Sequence, residues 1–156
     1  MRRLAHQRTG EGSRPLVLLH GFLGSARNLS TLARALVERD PDLGIVAFDL
    51  TGHGASPPLP PGADSATLAG DVLASAHALG LPTPLTLVGH SLGGRIALRA
   101  ALLEPANVRV RHVVRRAAAD LVDRIGATPL DGGPQILGAD LVVERRQRPA
   151  VDAPAV

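Results

Sequence analysis

Leu87-Val88-Gly89-His90-Ser91-Leu92-Gly93-Gly94-Arg95 is the stretch on which the reading of this chain turns. An apolar run over residues 85–88 stops at Gly89, and an apolar pattern of helical period starts after Ser91. Ser91 therefore sits at a strand-to-helix corner framed as Gly89-x-Ser91-x-Gly93, the spacing of a nucleophile elbow. Such a corner is too tight for side chains at its flanks, so Gly89 and Gly93 are needed as glycines, and the serine hydroxyl stands out above the sheet edge. The Leu92 N–H and the start of the following helix then face whatever bonds to that oxygen. A bare Gly-x-Ser-x-Gly is a weak signal. Between a buried strand and a helix it is far stronger.

Upstream lie two more buried-strand runs, Pro15-Leu16-Val17-Leu18-Leu19-His20 and Ile45-Val46-Ala47-Phe48. Their continuous apolar character predicts strands covered on both faces, as in a parallel sheet. The first leads into the loop Gly21-Phe22-Leu23-Gly24-Ser25, the second into Asp49 and a Gly- and Pro-rich loop over residues 50–63. Helical periodicity fills the gaps. Leu29, Leu32, Ala33, Leu36 and Val37 share one face, with Asn28 as the cap. Leu68, Val72, Ala76 and Leu79 share another, capped by Asp64 or Ser65 and ended by Gly80 and Pro82. After the elbow, Ile96, Ala97, Ala100 and Leu103 face inward until Glu104-Pro105 ends the helix. Residues 2–9 suggest an edge strand or hairpin.

The order strand-helix-strand-helix-strand-helix gives an α/β fold, a mostly parallel sheet with helices on both faces, whose ligands bind beyond the carboxyl ends of the strands. His20, Asp49 and Ser91 all fall at or just past such ends, so their loops converge on one crevice. Residues 108–114 read as a fourth, half-exposed parallel strand running into Arg115-Arg116. Beyond it the pattern thins: a short helix over residues 117–125, a short strand over 140–144, and a tail over 145–156. The division expected is therefore 1–114 as the organised part, 115–144 as a degenerate or alternative segment, and 145–156 as a disordered tail.

Composition narrows the function classes. With 156 residues and 45% hydrophobic content the chain is long enough for one domain with a real core. It has no cysteine, which excludes disulfides, cysteine-based zinc sites and a thiol nucleophile. No apolar run reaches the length of a membrane span, and residues 1–7 lack a signal-peptide core, so a cytoplasmic location is the expectation. The net charge is +3 and all 17 basic residues are arginine, a pattern that coding bias explains. The only aromatics are Phe22 and Phe48, too few to interleave a basic stripe for nucleic acid. No metal, cofactor, nucleic-acid or membrane partner is expected.

Three motifs now stand together: residues 20–25 (His-Gly-Phe-Leu-Gly-Ser), residues 49–56 (Asp-Leu-Thr-Gly-His-Gly-Ala-Ser) and residues 89–94 (Gly-His-Ser-Leu-Gly-Gly). As a set they resemble the α/β-hydrolase superfamily, and within it the small acyl-esterase branch. The resemblance covers about residues 2–114, so the fold it implies is an incomplete α/β-hydrolase fold. It implies Ser91 as the catalytic nucleophile, and the backbone N–H groups of Phe22 and Leu92 as the oxyanion hole. Gly89, Gly93, His20 and Gly21 become elbow and loop support. His53 and Asp49 read as architecture of the turn after the second strand. His90 lies inside the elbow, directed away from the serine.

A serine hydroxyl attacks poorly until a base takes its proton, and the base needs an orienting carboxylate. The superfamily's chain order is Ser, acid, His. One histidine follows Ser91, His112, and one carboxylate lies between them, Glu104. Glu104 is thirteen helical residues from Ser91, about 20 Å at ~1.5 Å per residue. His112 is thus a weak candidate base, alone or with Asp120 or Asp123 out of order. Relatives of this kind run on for about another hundred residues that supply the lid, acid and histidine, which suggests a truncated or frame-shifted product. Three functions stay open: a serine hydrolase of small acyl esters working through an acyl-enzyme, a non-catalytic remnant or binding protein, and a lyase resembling the menaquinone-pathway synthase of the same fold. An apolar sheet edge at the fourth parallel strand predicts aggregation or a homodimer.

Overall fold

A computed structural model describes residues 2–114, with the backbone alone over 111–114. The segments 115–144 and 145–156, with Asp120 and Asp123, lie outside the described residues. The elements are β1 (His6–Thr9), β2 (Arg14–Leu19), a 3-10 turn (Ala26–Leu29), α1 (Ser30–Arg39), β3 (Leu43–Phe48), α2 (Ser65–Ala78), β4 (Leu85–His90), α3 (Leu92–Leu103) and β5 (Val108–Val114). They form one five-stranded sheet in the order β1-β3-β2-β4-β5. β2, β3, β4 and β5 run parallel, and β1 closes one edge antiparallel to β3.

Alternation along the strands splits the core in two. Leu16 and Leu18 of β2, Ile45 and Ala47 of β3 and Val88 of β4 face α1, meeting Leu32, Ala33 and Leu36. Val17, Leu19, Val46, Phe48, Leu85 and Leu87 face the other way, onto Val72 and Ala76 of α2 and Ile96, Ala97 and Ala100 of α3. Helices thus cover both faces, as the unbroken apolar runs demand. Burying each large side chain contributes about 1.5–3 kcal/mol. Register then sets the working end. Leu19 pairs with Phe48 on one side and with Gly89 on the other, so the next residues, His20, Asp49 and His90, form one row along the sheet top.

Some expectations shift. Asn28 does not cap α1; it lies inside the 3-10 turn, where its Oδ1 accepts from the Ser25 N–H at 2.7 Å, and α1 begins two residues later. Asp64, rather than Ser65, caps α2, accepting from the Thr67 N–H at 2.9 Å. Leu103, expected inward, is 45% exposed because α3 ends there and turns its last residues outward. In β5 a bulge interrupts the register: Leu87 pairs with Val110, but Val88 pairs with His112. Arg111 is the extra residue.

Candidate active site

Ser91 has φ 50° and ψ −106° and links the last residue of β4 to the first of α3 with nothing between. A left-handed φ on a non-glycine residue is strained, and the flanking glycines explain how it is held. A Cβ on Gly89 would lie 2.4 Å from the Gly93 carbonyl carbon and oxygen. A Cβ on Gly93 would lie 2.3 Å from the Leu19 carbonyl oxygen, and the Gly93 N–H donates to the His20 carbonyl at 3.0 Å. The first turn of α3 is therefore pressed against both its own strand and β2. Ser91 itself is exposed. Leu92 opens α3, so its N–H is among those a helix start leaves without an intrahelical acceptor.

The loop after β2 crosses in front of this corner. A Cβ on Gly21 would meet the His90 ring at 2.6 Å, so the missing side chain lets the loop close onto β4. His20 is buried, and both its ring nitrogens are committed. The Leu50 N–H donates to Nε2 at 3.0 Å, which fixes the proton on Nδ1, and Nδ1–H donates to the Gly21 carbonyl at 2.8 Å. Burial is the main cause holding the His20 pKa below 6.5, with the nearby His53 adding to it, against opposing contributions from the Gly21 hydrogen bond and Asp49. His20 therefore ties the β2 loop to the β3 loop as a neutral ring.

Asp49 makes the second tie. Its Oδ1 accepts from the Ala26 N–H at 2.6 Å and its Oδ2 from the Ala55 N–H at 2.8 Å. Gly54, at φ 52°, leaves room for that carboxylate, which a Cβ would meet at 2.1 Å. Ser56 donates to the Asp49 carbonyl at 2.6 Å and accepts from the Ala5 N–H at 2.9 Å. Thr51 donates to Asp71 of α2 at 2.7 Å. The His53 ring sits 5.1 Å from that of His20 and edge-on to Phe22 at 6.1 Å. The architectural reading of Asp49 and His53 fits these contacts; the turn at Leu23, φ 61°, had no signal in the sequence.

Ser91, Phe22, Leu92, Gly21, Gly89, Gly93 and His20 are thus brought to one end of the sheet. Among the described residues no histidine ring is hydrogen-bonded to the Ser91 hydroxyl. His112 lies on β5 beside Val88, three residues below the level of Ser91, about 10 Å at ~3.3 Å per residue. Glu104 ends α3 and pairs with His77 and Asn107 at the far end of the helix. A cavity lined by Arg8, Gly12, Pro15, Gly44 and Leu81 opens at the amino ends of the strands, away from Ser91. Among the described residues there is no group of three or more metal-ligating side chains, and no helix is long and apolar enough to cross a membrane.

Comparison with known proteins places these features. Residues 14–150 match the family described as alpha/beta hydrolase fold. The sn-1-specific diacylglycerol lipase ABHD11 of Xenopus laevis is 36% identical over 128 residues, covering 80% of this chain and 37% of the lipase. The esterase YbfF of Escherichia coli is 36% identical over 100 residues, covering 64% of this chain and 37% of the esterase. The chain thus spans little more than a third of the length of these relatives. Among solved structures, an esterase from Exiguobacterium antarcticum superposes with a TM-score of 0.61 at 29% identity, covering 70% of this chain and 40% of that one.

Proposed function

Because the chain belongs to the α/β-hydrolase fold family, we propose that its site hydrolyses small carboxylic esters through an acyl-enzyme on Ser91. The Ser91 Oγ attacks the ester carbonyl carbon, its proton passes to a base, and the carbonyl becomes a tetrahedral oxyanion. The Phe22 and Leu92 N–H groups receive that oxyanion; losing one such donor typically costs about 2.7–4 kcal/mol. Collapse releases the alcohol, and water then attacks the acyl-serine to return the enzyme and a carboxylic acid. The strained Ser91 backbone carries this reading: φ 50° falls on an exposed serine between two glycines that tolerate no Cβ, the geometry of a nucleophile elbow. The names of the lipase and esterase relatives support the ester class.

The test is release of nitrophenol from a short-chain nitrophenyl ester by the chain and by Ser91→Ala. Hydrolysis lost in the variant is expected; equal rates would refute the proposal. One observation favours a second reading, a serine scaffold without turnover: no histidine among the described residues is bonded to Ser91, and both nitrogens of His20 serve the backbone. Labelling by a fluorophosphonate probe separates the two. An activated serine labels quickly and stoichiometrically, whereas an unactivated one does not.

A further inference from the structure

The amino ends of the strands hold a cavity of about 160 Å³, at the opposite end of the sheet from Ser91. Register places its walls. Arg8 pairs with Val46, just as His6 pairs with Phe48 and meets its ring, so Arg8 stands on the α2 side of the sheet. Pro15 lies two residues before Val17 and therefore on the same face. The end of α2 supplies the wall opposite. Gly80 takes φ 68° and the Leu81 N–H donates to the Ala76 carbonyl at 3.1 Å, a glycine stop that folds the chain back over the helix end. Leu81 thereby packs against the core beside the cavity. The last wall is the turn over residues 10–13, pressed onto the start of β3. Gly10 takes φ 78°, and a Cβ on Gly44 would lie 2.6 Å from the Gly12 carbonyl oxygen. The cavity is thus framed by fixed backbone rather than by side chains free to swing across it.

Arg8 and Glu11 both line this cavity. Among the described residues neither has an ion-pair or hydrogen-bond partner, and they do not neutralise each other. A cation and an anion left open beside an apolar floor of Pro15, Val46 and Leu81 complement a ligand that carries both charges and an apolar arm. We propose that the cavity binds a free α-amino acid with a branched aliphatic side chain. The carboxylate meets the Arg8 guanidinium, whose fork of donors suits it. The ammonium meets the Glu11 carboxylate, and the side chain lies on Pro15, Val46 and Leu81. Volume sets the size, since a cavity of about 150 Å³ takes a benzene-sized guest; a side chain of about four carbons fits, and a dipeptide does not. This site is separate from Ser91 and stands without the ester reading.

Calorimetric titration of the full chain with L-leucine tests this. Saturable binding with a Kd of about 1 mM or tighter is expected for a ligand of this size, with shifts of the Gly12 and Gly44 amide NMR signals. N-acetyl-leucine lacks the ammonium and leucinamide lacks the carboxylate, and each is expected to bind about ten-fold more weakly. Glycine, without the apolar arm, does not saturate. Two variants then separate the contacts. Arg8→Gln weakens leucine about ten-fold and leaves leucinamide unchanged, whereas Glu11→Gln weakens leucine equally and leaves N-acetyl-leucine unchanged. Both side chains are exposed, so both variants keep the parent's melting temperature. Arg34→Gln, on the exposed side of α1, binds leucine as the parent does. The analogue series needs no variant, so it decides even where a substitution disturbs folding. No saturation by leucine at about 10 mM, glycine bound as tightly as leucine, analogues bound as tightly as leucine, or Gly12 and Gly44 signals unmoved on binding each overturn the proposal. Ester hydrolysis takes no part in the measurement, so failure of the Ser91 reading shows separately.

Discussion

Replacing Gly93 by alanine tests how the elbow is braced. The added Cβ would lie 2.3 Å from the Leu19 carbonyl oxygen and 2.6 Å from that of His20. Both are backbone atoms at the end of a central strand, so no side chain can swing aside. α3 must recede by roughly 1 Å to bring these contacts toward normal van der Waals distances. Such overpacking typically costs 1–3 kcal/mol, and stretching the Gly93 to His20 hydrogen bond adds about 1 kcal/mol. A loss of about 2–4 kcal/mol is expected in urea unfolding. The same 1 Å shift moves the Leu92 N–H relative to Phe22, and misplacement of that size can cost about 100-fold in rate. Gly70→Ala is the counterpart: that glycine lies inside α2 with open space where a Cβ would sit, so a gain of up to about 1 kcal/mol is expected. The reasoning is refuted if Gly93→Ala unfolds within about 0.5 kcal/mol of the parent, a typical surface substitution.

Ser91→Gly should raise stability by up to about 1 kcal/mol in the same titration while abolishing ester hydrolysis, because glycine adopts φ 50° without strain but carries no nucleophile. Asp49→Asn should cost about 1.5–3 kcal/mol, since an amide nitrogen would face a backbone N–H at Ala26 or Ala55 in place of a carboxylate oxygen; an unchanged unfolding midpoint would refute the clamp. His20→Gln should flatten the acid side of the stability curve. The sign follows from the lowered native pKa: the unfolded chain takes up the proton first, so the stabilisation is complete above about pH 6.5 and is lost as pH falls through the native value. Melting temperatures from pH 7 to 5 for parent and variant check it, and parallel curves would count against His20 as the group responsible.

Legibility in the sequence tracked how local each cause was. Strands β2, β3 and β4 were plain because burial on both faces writes itself as unbroken apolar runs. The elbow was plain because its two glycines flank Ser91 at fixed spacing between a strand run and a helix run, although only Gly89 answers to contacts within five residues and Gly93 answers to Leu19 and His20 at the top of β2. The cap of α1 was misplaced because Ser25 and Asn28 close a 3-10 turn first, and a turn of that kind has the same residue preferences as a helix start. The bulge at Arg111 left no mark, since β5 reads as regular alternation and only its pairing with β4 reveals the slip. The Leu23 turn was hidden for a related reason. Leucine argues against a left-handed residue, so propensity pointed the wrong way where the chain departs from it.

The site's rigidity follows from where its polar bonds end. His20 and Asp49 lie side by side at the tops of β2 and β3, and each reaches across to the other strand's loop: His20 to the Leu50 N–H, Asp49 to the Ala26 N–H. The Gly93 N–H returns the link from α3 to the His20 carbonyl. The loop bearing the Phe22 N–H and the helix start bearing the Leu92 N–H are therefore joined through one residue, His20, whose backbone serves one and whose ring anchors the other. If the two N–H groups receive one oxyanion as proposed, they gain from such a shared support, because preorganised dipoles stabilise developing charge without reorganising during the reaction. Under the proposed function, the histidine at position 20 serves by staying neutral and fixed, in a place where a proton-transfer role would break its bond to the Leu50 N–H.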